Sequence, residues 1–272
     1  MTEPGNLSNV SESVAQAIPQ ASKRKLNLLD IYPLQLALQL NLLEYNFAKD
    51  VLITDIEARR ANGREEQQPD SITPCIRFSK QITNWVAQCV LEPKYARRRA
   101  ASIEYFISVA HNARGMKNFS SMTSIMNGLH SSYVYRLWDT WKLVSKEKID
   151  DFESCKKTSY HSNPSMTLAC IKPPAVPYIG YFIWSRVDSD AYHDRLITQG
   201  FARWQSTPYP YEVDEDIRAF IQEELSQFAG PSAELHERFE KLSLDREPKP
   251  EKNKGITLQG KTLLVDTNLA ID

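Results

Sequence analysis

Apolar residues in this chain recur at steps of three and four. Ala100, Ile103, Phe106, Ile107 and Ala110 make one such face, the chain turns at Gly115, and Phe119, Met122, Ile125, Met126 and Leu129 make the next. That spacing gathers the apolar groups on one side of a helix, whereas a half-buried strand would alternate them. Asn118 stands where its side chain can cap the second helix, and two helices joined by so short a connection pack antiparallel.

The same period continues outward from this pair. Leu34, Ala37, Leu38 and Leu42 predict a buried helix opened by Pro33, which a first turn tolerates because its amide has no partner there. Ile76, Ile82, Val86 and Cys89 form the stripe of another helix, with Trp85 beside it, ending near Pro93. Residues 131 to 160 read as shorter, more polar helices, and the stretch from 160 to 177, with Pro164, Pro173, Pro174 and Pro177, as an irregular connection.

A helix apolar or aromatic around much of its girth starts near Ile179. Further on, Asp214, Glu215 and Asp216 suit the positive end of a helix carrying Ile217, Phe220, Ile221 and Leu225. A last helix carries Leu235, Phe239 and Leu242. Residues 57 to 72, polar and punctuated by Gly63 and Pro69, predict an exposed loop. No Asn-Gly or Asp-Gly turn lies between alternating apolar runs, and no fixed-period repeat is present, so the fold class is all-α. Residues 1 to 26 read as a disordered leader, 27 to 250 as one domain, and 251 to 272 as a flexible tail in which Leu263-Leu264-Val265 could dock as a short strand.

Composition excludes several functions. With 33 basic and 34 acidic residues the net charge is −1, which gives no basic stripe for nucleic acid, so Lys23-Arg24-Lys25 and Arg97-Arg98-Arg99 read as solvated runs. No apolar run approaches the roughly 18 residues of a membrane span, and no secretory signal opens the chain, which points to the cytoplasm. Cys75, Cys89, Cys155 and Cys170 lack the paired spacing of a zinc site and read as reduced thiols.

The residues of ordinary catalysis are missing too. The nine glycines are scattered, with no phosphate-cradling loop, no nucleophile elbow and no His-Glu-x-x-His pair. His111, His130, His161, His193 and His236 have no neighbour at triad spacing. No metal and no cofactor is expected, and no covalent chemistry.

One region gathers polar, aromatic and basic groups at both ends of an apolar helix. It runs from Lys117-Asn118-Phe119-Ser120-Ser121 through His130-Ser131-Ser132-Tyr133-Val134-Tyr135-Arg136-Leu137 to Thr140-Trp141. Periodicity alone reads it equally well as a capped core helix.

Four further blocks accompany it: Tyr32-Pro33-Leu34 through Leu43-Glu44; Ile76-Arg77-Phe78 with Asn84-Trp85-Val86; the helix from Arg99 to Ala110; and Pro173-Pro174-x-Val176-Pro177-Tyr178-x-Gly180. Together they resemble the catalytic domain of Ras-type guanine-nucleotide exchange factors, the RasGEF family, over about residues 27 to 250. The resemblance implies an all-helical bowl with a protruding helical hairpin. The bowl would grip the second switch of a Ras-like small GTPase of Ras, Rap or Ral type, and the hairpin would disturb the magnesium and phosphate site beside the first.

By that resemblance Ile76, Arg77, Asn127, His130 and Tyr135 face the second switch. The hairpin opens near Tyr178 and carries Phe182, Trp184, Val187, Asp188, Asp190 and Ala191. Val187 falls where the family places an apolar residue against the magnesium site. Ala191 falls where it often has an acid, a role Asp188 or Asp190 would take over. Trp85, Asn118, Phe119, Arg136 and Trp141 are expected to hold the helices in register.

Between Ala191 and Pro208 the chain is shorter than is typical of the family, with a second hairpin helix expected near 195 to 205, braced by Phe201 and Trp204. The shortening and Ala191 favour an alternative, a GTPase-binding scaffold of the same fold that does not release nucleotide. Contact with membranes is expected only through the GTPase.

Overall fold

The computed structural model describes residues 26–62, 70–160, 172–184, 201–229, 232–248, 257–258 and 261–262. A 3-10 turn at Leu28–Asp30 leads into α1 (Pro33–Ala48), with Pro33 in its first turn, then α2 (Ile53–Asn62) and α3 (Thr73–Leu91). Next come α4 (Ala96–Gly115), α5 (Phe119–His130), the one-turn helices α6 (Ser132–Tyr135) and α7 (Trp138–Trp141), and α8 (Lys146–Tyr160). Two short helices, α9 (Gly180–Trp184) and α10 (Phe201–Gln205), precede α11 (Glu215–Ser226) and α12 (Ser232–Arg246). The fold is all-α. Among the described residues the strands are the two-residue β1 (Thr257–Leu258) and β2 (Lys261–Thr262), paired antiparallel within the segment expected to be a flexible tail.

The densest packing joins α3 to α5 and α4 to both α1 and α5. Ser79 Oγ lies 2.7 Å from Ser124 Oγ, and Thr83 Oγ1 donates to the Ser124 carbonyl at 3.0 Å. One turn on, a Cβ at Gly128 would lie 2.7 Å from the Thr83 carbonyl oxygen and 2.7 Å from Val86 Cβ. The contacts advance in the same direction along both helices, so α3 and α5 run parallel, and only a glycine lets them come this close.

The cap expected at Asn118 is present, its Oδ1 accepting from the Ser121 amide at 3.0 Å, and Asp214, expected as one of the acids at the start of its helix, caps it as well, its Oδ1 accepting from the Ile217 amide at 3.0 Å. Before the first of them the chain reverses at Lys117, which adopts φ 61°, a left-handed conformation that costs a residue with a side chain of order 1 kcal/mol or more.

The main core holds Trp85, Phe106, Trp141 and Phe119 as expected; each such buried side chain contributes about 1.5–3 kcal/mol by leaving water. Trp85 also donates its indole N–H to Glu224 at 3.0 Å, and Trp141 donates its own to the Val134 carbonyl at 3.1 Å. Arg136 donates to the carbonyl and hydroxyl of Ser243, both at 2.9 Å, tying α6 to α12.

Three expectations are corrected. In α1 the buried apolar residues are Leu36, Ala37, Leu40 and Leu43, while Leu34 is 51% exposed. So leucine-rich a helix satisfies the helical period in more than one phase, and packing against α4 selects the phase. Residues 57 to 62 belong to α2 rather than a loop, because Ile56 is buried and Arg59 pairs with Asp70 (2.6 Å) across the connection to α3. Of the arginine run, Arg97 and Arg98 are exposed but Arg99 is 2% exposed. It donates to Thr140 Oγ1 at 2.9 Å, to the Lys94 carbonyl at 2.8 Å and to Glu247 at 3.2 Å. Glu247 in turn accepts from the Thr140 amide and hydroxyl at 2.9 and 2.7 Å and from the Asp139 amide at 2.9 Å.

A second, smaller core lies beside the first: Val51, Ile56 and Ile72 with Ala175, Ile179, Phe182, Phe201 and Trp204. It seats the two described arms of the expected hairpin, residues 172–184 and 201–205. The leader, and residues 185–200 between the arms, lie outside the described residues.

Candidate functional site

Where α3 and α5 run parallel they offer one common face. On α3 it carries Arg77 and Lys80, both exposed, and Asn84, half-buried, at helical steps. On α5 it carries Thr123, Asn127 and His130, also at helical steps, the latter two half-buried. Ile76, at the start of α3, is half-buried against the second core alongside Tyr181 and Ile183. The Tyr181 phenol lies beside the Thr123 hydroxyl. The first helix of the hairpin therefore lies against the same face that holds Asn127 and His130.

At its far end this face turns aromatic. The His130 ring lies 5.1 Å from that of Tyr135 and 4.9 Å from that of Phe152, both tilted. Tyr135 meets Trp138 and Trp141 edge-on at 5.9 and 6.3 Å. Burial pushes the His130 imidazole down to about 4, helped by the charge of Lys156, so it is neutral at pH 7. Burial likewise pushes the Tyr135 phenol up to about 12. The face thus combines two exposed cations with neutral polar and aromatic groups, a composition suited to gripping a protein surface rather than to acid–base chemistry.

The five residues expected to face a second switch divide accordingly. Arg77, Asn127, His130 and Tyr135 lie along the α3–α5 face and its aromatic end, and Ile76 sits where that face meets the hairpin. Of the hairpin residues, Phe182 is 1% exposed and meets Phe201 edge-on at 5.4 Å and Trp204 at 6.1 Å. Its position is inside the hairpin's base, where it holds the two arms together. Trp184 ends α9, and its side chain lies outside the described residues, as do Val187, Asp188, Asp190 and Ala191.

Both arms are pinned. The incoming arm forms a parallel bridge with the turn before α5: the Val176 amide donates to the Lys117 carbonyl at 3.1 Å, and the Phe119 amide donates to the Val176 carbonyl at 2.9 Å. The returning arm is fixed to α1. Gln205 Nε2 donates to the carbonyls of Ala48 (3.1 Å) and Val51 (2.7 Å), and its own carbonyl accepts from the Tyr45 hydroxyl at 2.7 Å.

These pins were missed in the sequence. They depend on main-chain groups and on residues far apart in the chain, and only the run of prolines near Val176 hinted at an extended arm. Among the described residues no cluster of three or more His, Cys, Asp or Glu could hold a metal, and no helix is long and apolar enough to cross a membrane.

Residues 35–199 match the RasGEF domain family. Among curated relatives, Ras guanine nucleotide exchange factor E of Dictyostelium discoideum is 30% identical over 167 residues, covering 58% of this chain and 16% of the relative. Ras guanine nucleotide exchange factor efc25 of Schizosaccharomyces pombe is 27% identical over 225 residues (75% and 23%). Cell division control protein 25 of Candida albicans is 25% identical over 273 residues (90% and 20%). The chain spans 16 to 23% of the length of these relatives.

Proposed function

The chain belongs to the RasGEF domain family, and on that premise we propose that it is a guanine-nucleotide exchange factor that promotes GDP release from a Ras-like small GTPase of Ras, Rap or Ral type. The observation that carries the reading is the seating of the hairpin's first helix, with Tyr181 beside Thr123, against the face that presents Asn127, His130 and, across from them, Arg77. A partner seated on that face meets the hairpin at once.

No bond is made or broken by such a protein. Its effect follows from linkage: a surface that binds the empty GTPase more tightly than the loaded one weakens nucleotide affinity by the same factor. Arg77 supplies a charge-assisted contact to carboxylates on the partner. His130, held neutral, and Tyr135 supply the apolar and hydrogen-bonding remainder. The segment carrying Val187, Asp188, Asp190 and Ala191 is the part that reaches the magnesium and phosphate site. The working location is the cytoplasm, at membranes only where the GTPase brings it.

The test is release of a fluorescent GDP analogue from purified Ras, Rap and Ral proteins. Acceleration of at least one supports the reading. A folded protein that accelerates none rejects it, and binding to the nucleotide-free GTPase without acceleration identifies a scaffold instead.

A further inference from the structure

The two pins of the hairpin converge on one buried carboxyl. Between the Val176 bridge and the Gln205 contacts lies a small cavity on the seam of the two cores. It is lined by Glu44 from α1, Cys75 from α3 and Ser120 from α5, and by Pro177, Ile179 and Phe201 from the hairpin's arms. Glu44 is 4% exposed, follows Leu40 by one turn on the buried side of α1, and faces the hydroxyls of Ser120 and Ser121. Its neighbour Tyr45 makes the hydrogen bond that holds the returning arm.

We propose that Glu44 is a positioning residue of the exchange reaction: as the neutral acid it lets the seam between body and hairpin close, and its ionisation opens that seam and unseats the hairpin while the α3–α5 face stays folded. The inference rests on the exchange-factor reading.

Burial pushes the Glu44 carboxyl up to about 8, which leaves it protonated at pH 7. The titratable groups around it are the Cys75 thiol on α3, pushed up to about 12, and the Tyr209 phenol, also raised by burial; both are neutral over the same range. Asp50 and Asp70 act on Cys75 from further out and offer an ionised Glu44 no counter-charge. A carboxylate formed here must therefore find water. The seam is where water enters most easily, because the hairpin's core is much the smaller of the two and its arms are held by a handful of hydrogen bonds.

The experiment compares the intact chain with Glu44→Gln from pH 6.5 to 9.5. It measures acceleration of nucleotide release relative to the GTPase alone, and hydrogen exchange of the Tyr181 and Phe182 amides, which bond to Tyr178 and Ile179 at 3.1 and 3.0 Å. For the intact chain, acceleration falls about tenfold by pH 9, following the protonated fraction of an acid one unit past its midpoint. The Tyr181 and Phe182 amides lose protection over the same range, beyond the intrinsic effect of pH, while those of α5 keep theirs. Glu44→Gln keeps its activity at pH 7 and shows neither change. Should that variant fold poorly, Glu44→Met, uncharged and of similar length, replaces it with the same expectation.

An alkaline fall that persists in the uncharged variants, or hairpin amides indifferent to pH in the intact chain, overturns the proposal. If no GTPase responds at any pH, the exchange-factor reading has failed, and the hydrogen-exchange comparison still decides whether Glu44 controls the seam.

Discussion

The Tyr45 hydroxyl donates to the backbone carbonyl of Gln205 at 2.7 Å, joining the first long helix to the last turn of the hairpin across 160 residues of chain. With the two hydrogen bonds from the Gln205 amide to Ala48 and Val51, this makes α1 the mount on which the returning arm is fixed.

Removing that mount separates seating of the hairpin from binding of the partner. Tyr45→Phe forfeits one hydrogen bond, about 1 kcal/mol, and Gln205→Ala forfeits two. Exchange rates at saturating protein are expected to drop roughly fivefold for the first and further for the second. Affinity for the nucleotide-free GTPase, measured by titration, stays within about twofold. Equal losses in rate and affinity would contradict this role.

Arg77 projects from α3 into solvent. Arg77→Glu is expected to leave the melting temperature unchanged, because an exposed position away from caps and core shifts stability by about 0.5 kcal/mol at most. It should nevertheless lower kcat/KM for nucleotide release tenfold or more by setting like charges against each other. Unchanged kinetics would remove Arg77 from the contact surface.

Gly128 is a question of stability. In Gly128→Ala the new methyl meets the Thr83 carbonyl and Val86 Cβ at 2.7 Å, so α3 and α5 must move apart. Overpacking of this kind costs about 1–3 kcal/mol, readable as a lower denaturation midpoint in urea at an unchanged slope. A variant as stable as the parent would show that the two helices are not in fixed contact.

His130 links stability to acid. Its folded midpoint, about 4, is below the ordinary 6.5, so the unfolded chain takes up the proton first. The stability contributed by the neutral ring is complete above pH 6.5 and lost as pH falls through about 4, amounting to a few kcal/mol at most. Glu44 acts with the opposite sign: its midpoint is raised from 4.5 to about 8, so its contribution is complete below 4.5 and lost as pH rises through 8. Denaturant titrations from pH 6.5 to 4.5 should therefore show the two trends nearly cancelling in the intact chain, an acid-side loss unmasked in Glu44→Gln, and an acid-side gain in His130→Gln.

Much of this architecture was legible because a helix of moderate amphipathicity declares its period. The α3, α4 and α5 stripes, the cap at Asn118 and the acids that open α11 follow from local spacing, whereas the structural roles of Trp85 and Trp141 came through the family resemblance. Phase was harder than period, since the leucines of α1 fit more than one buried stripe and only α4 chooses between them. Charge misled at Arg99, which reads as one of three solvated arginines until Thr140 and Glu247 arrive from elsewhere in the chain. The α3–α5 face was reached through family resemblance, as its residues are ordinary for exposed helix surface. The mount of the hairpin left no trace in spacing, because main-chain carbonyls accept most of its bonds. Glu44 was hidden for the same reason as the phase: only once Leu40 is known to face inward does an acid one turn beyond it stand out as buried.

The ion pair between Arg99 and Glu247 bears on how short a working fragment can be made. Residues matching the family end at 199, yet the guanidinium buried near the start of α4 has its carboxylate partner 148 positions later. A truncation that keeps the matched region and discards the last helix would strand that cation in a dry interior, a defect worth about 3–5 kcal/mol. Any minimal version of this protein has to be cut beyond Glu247.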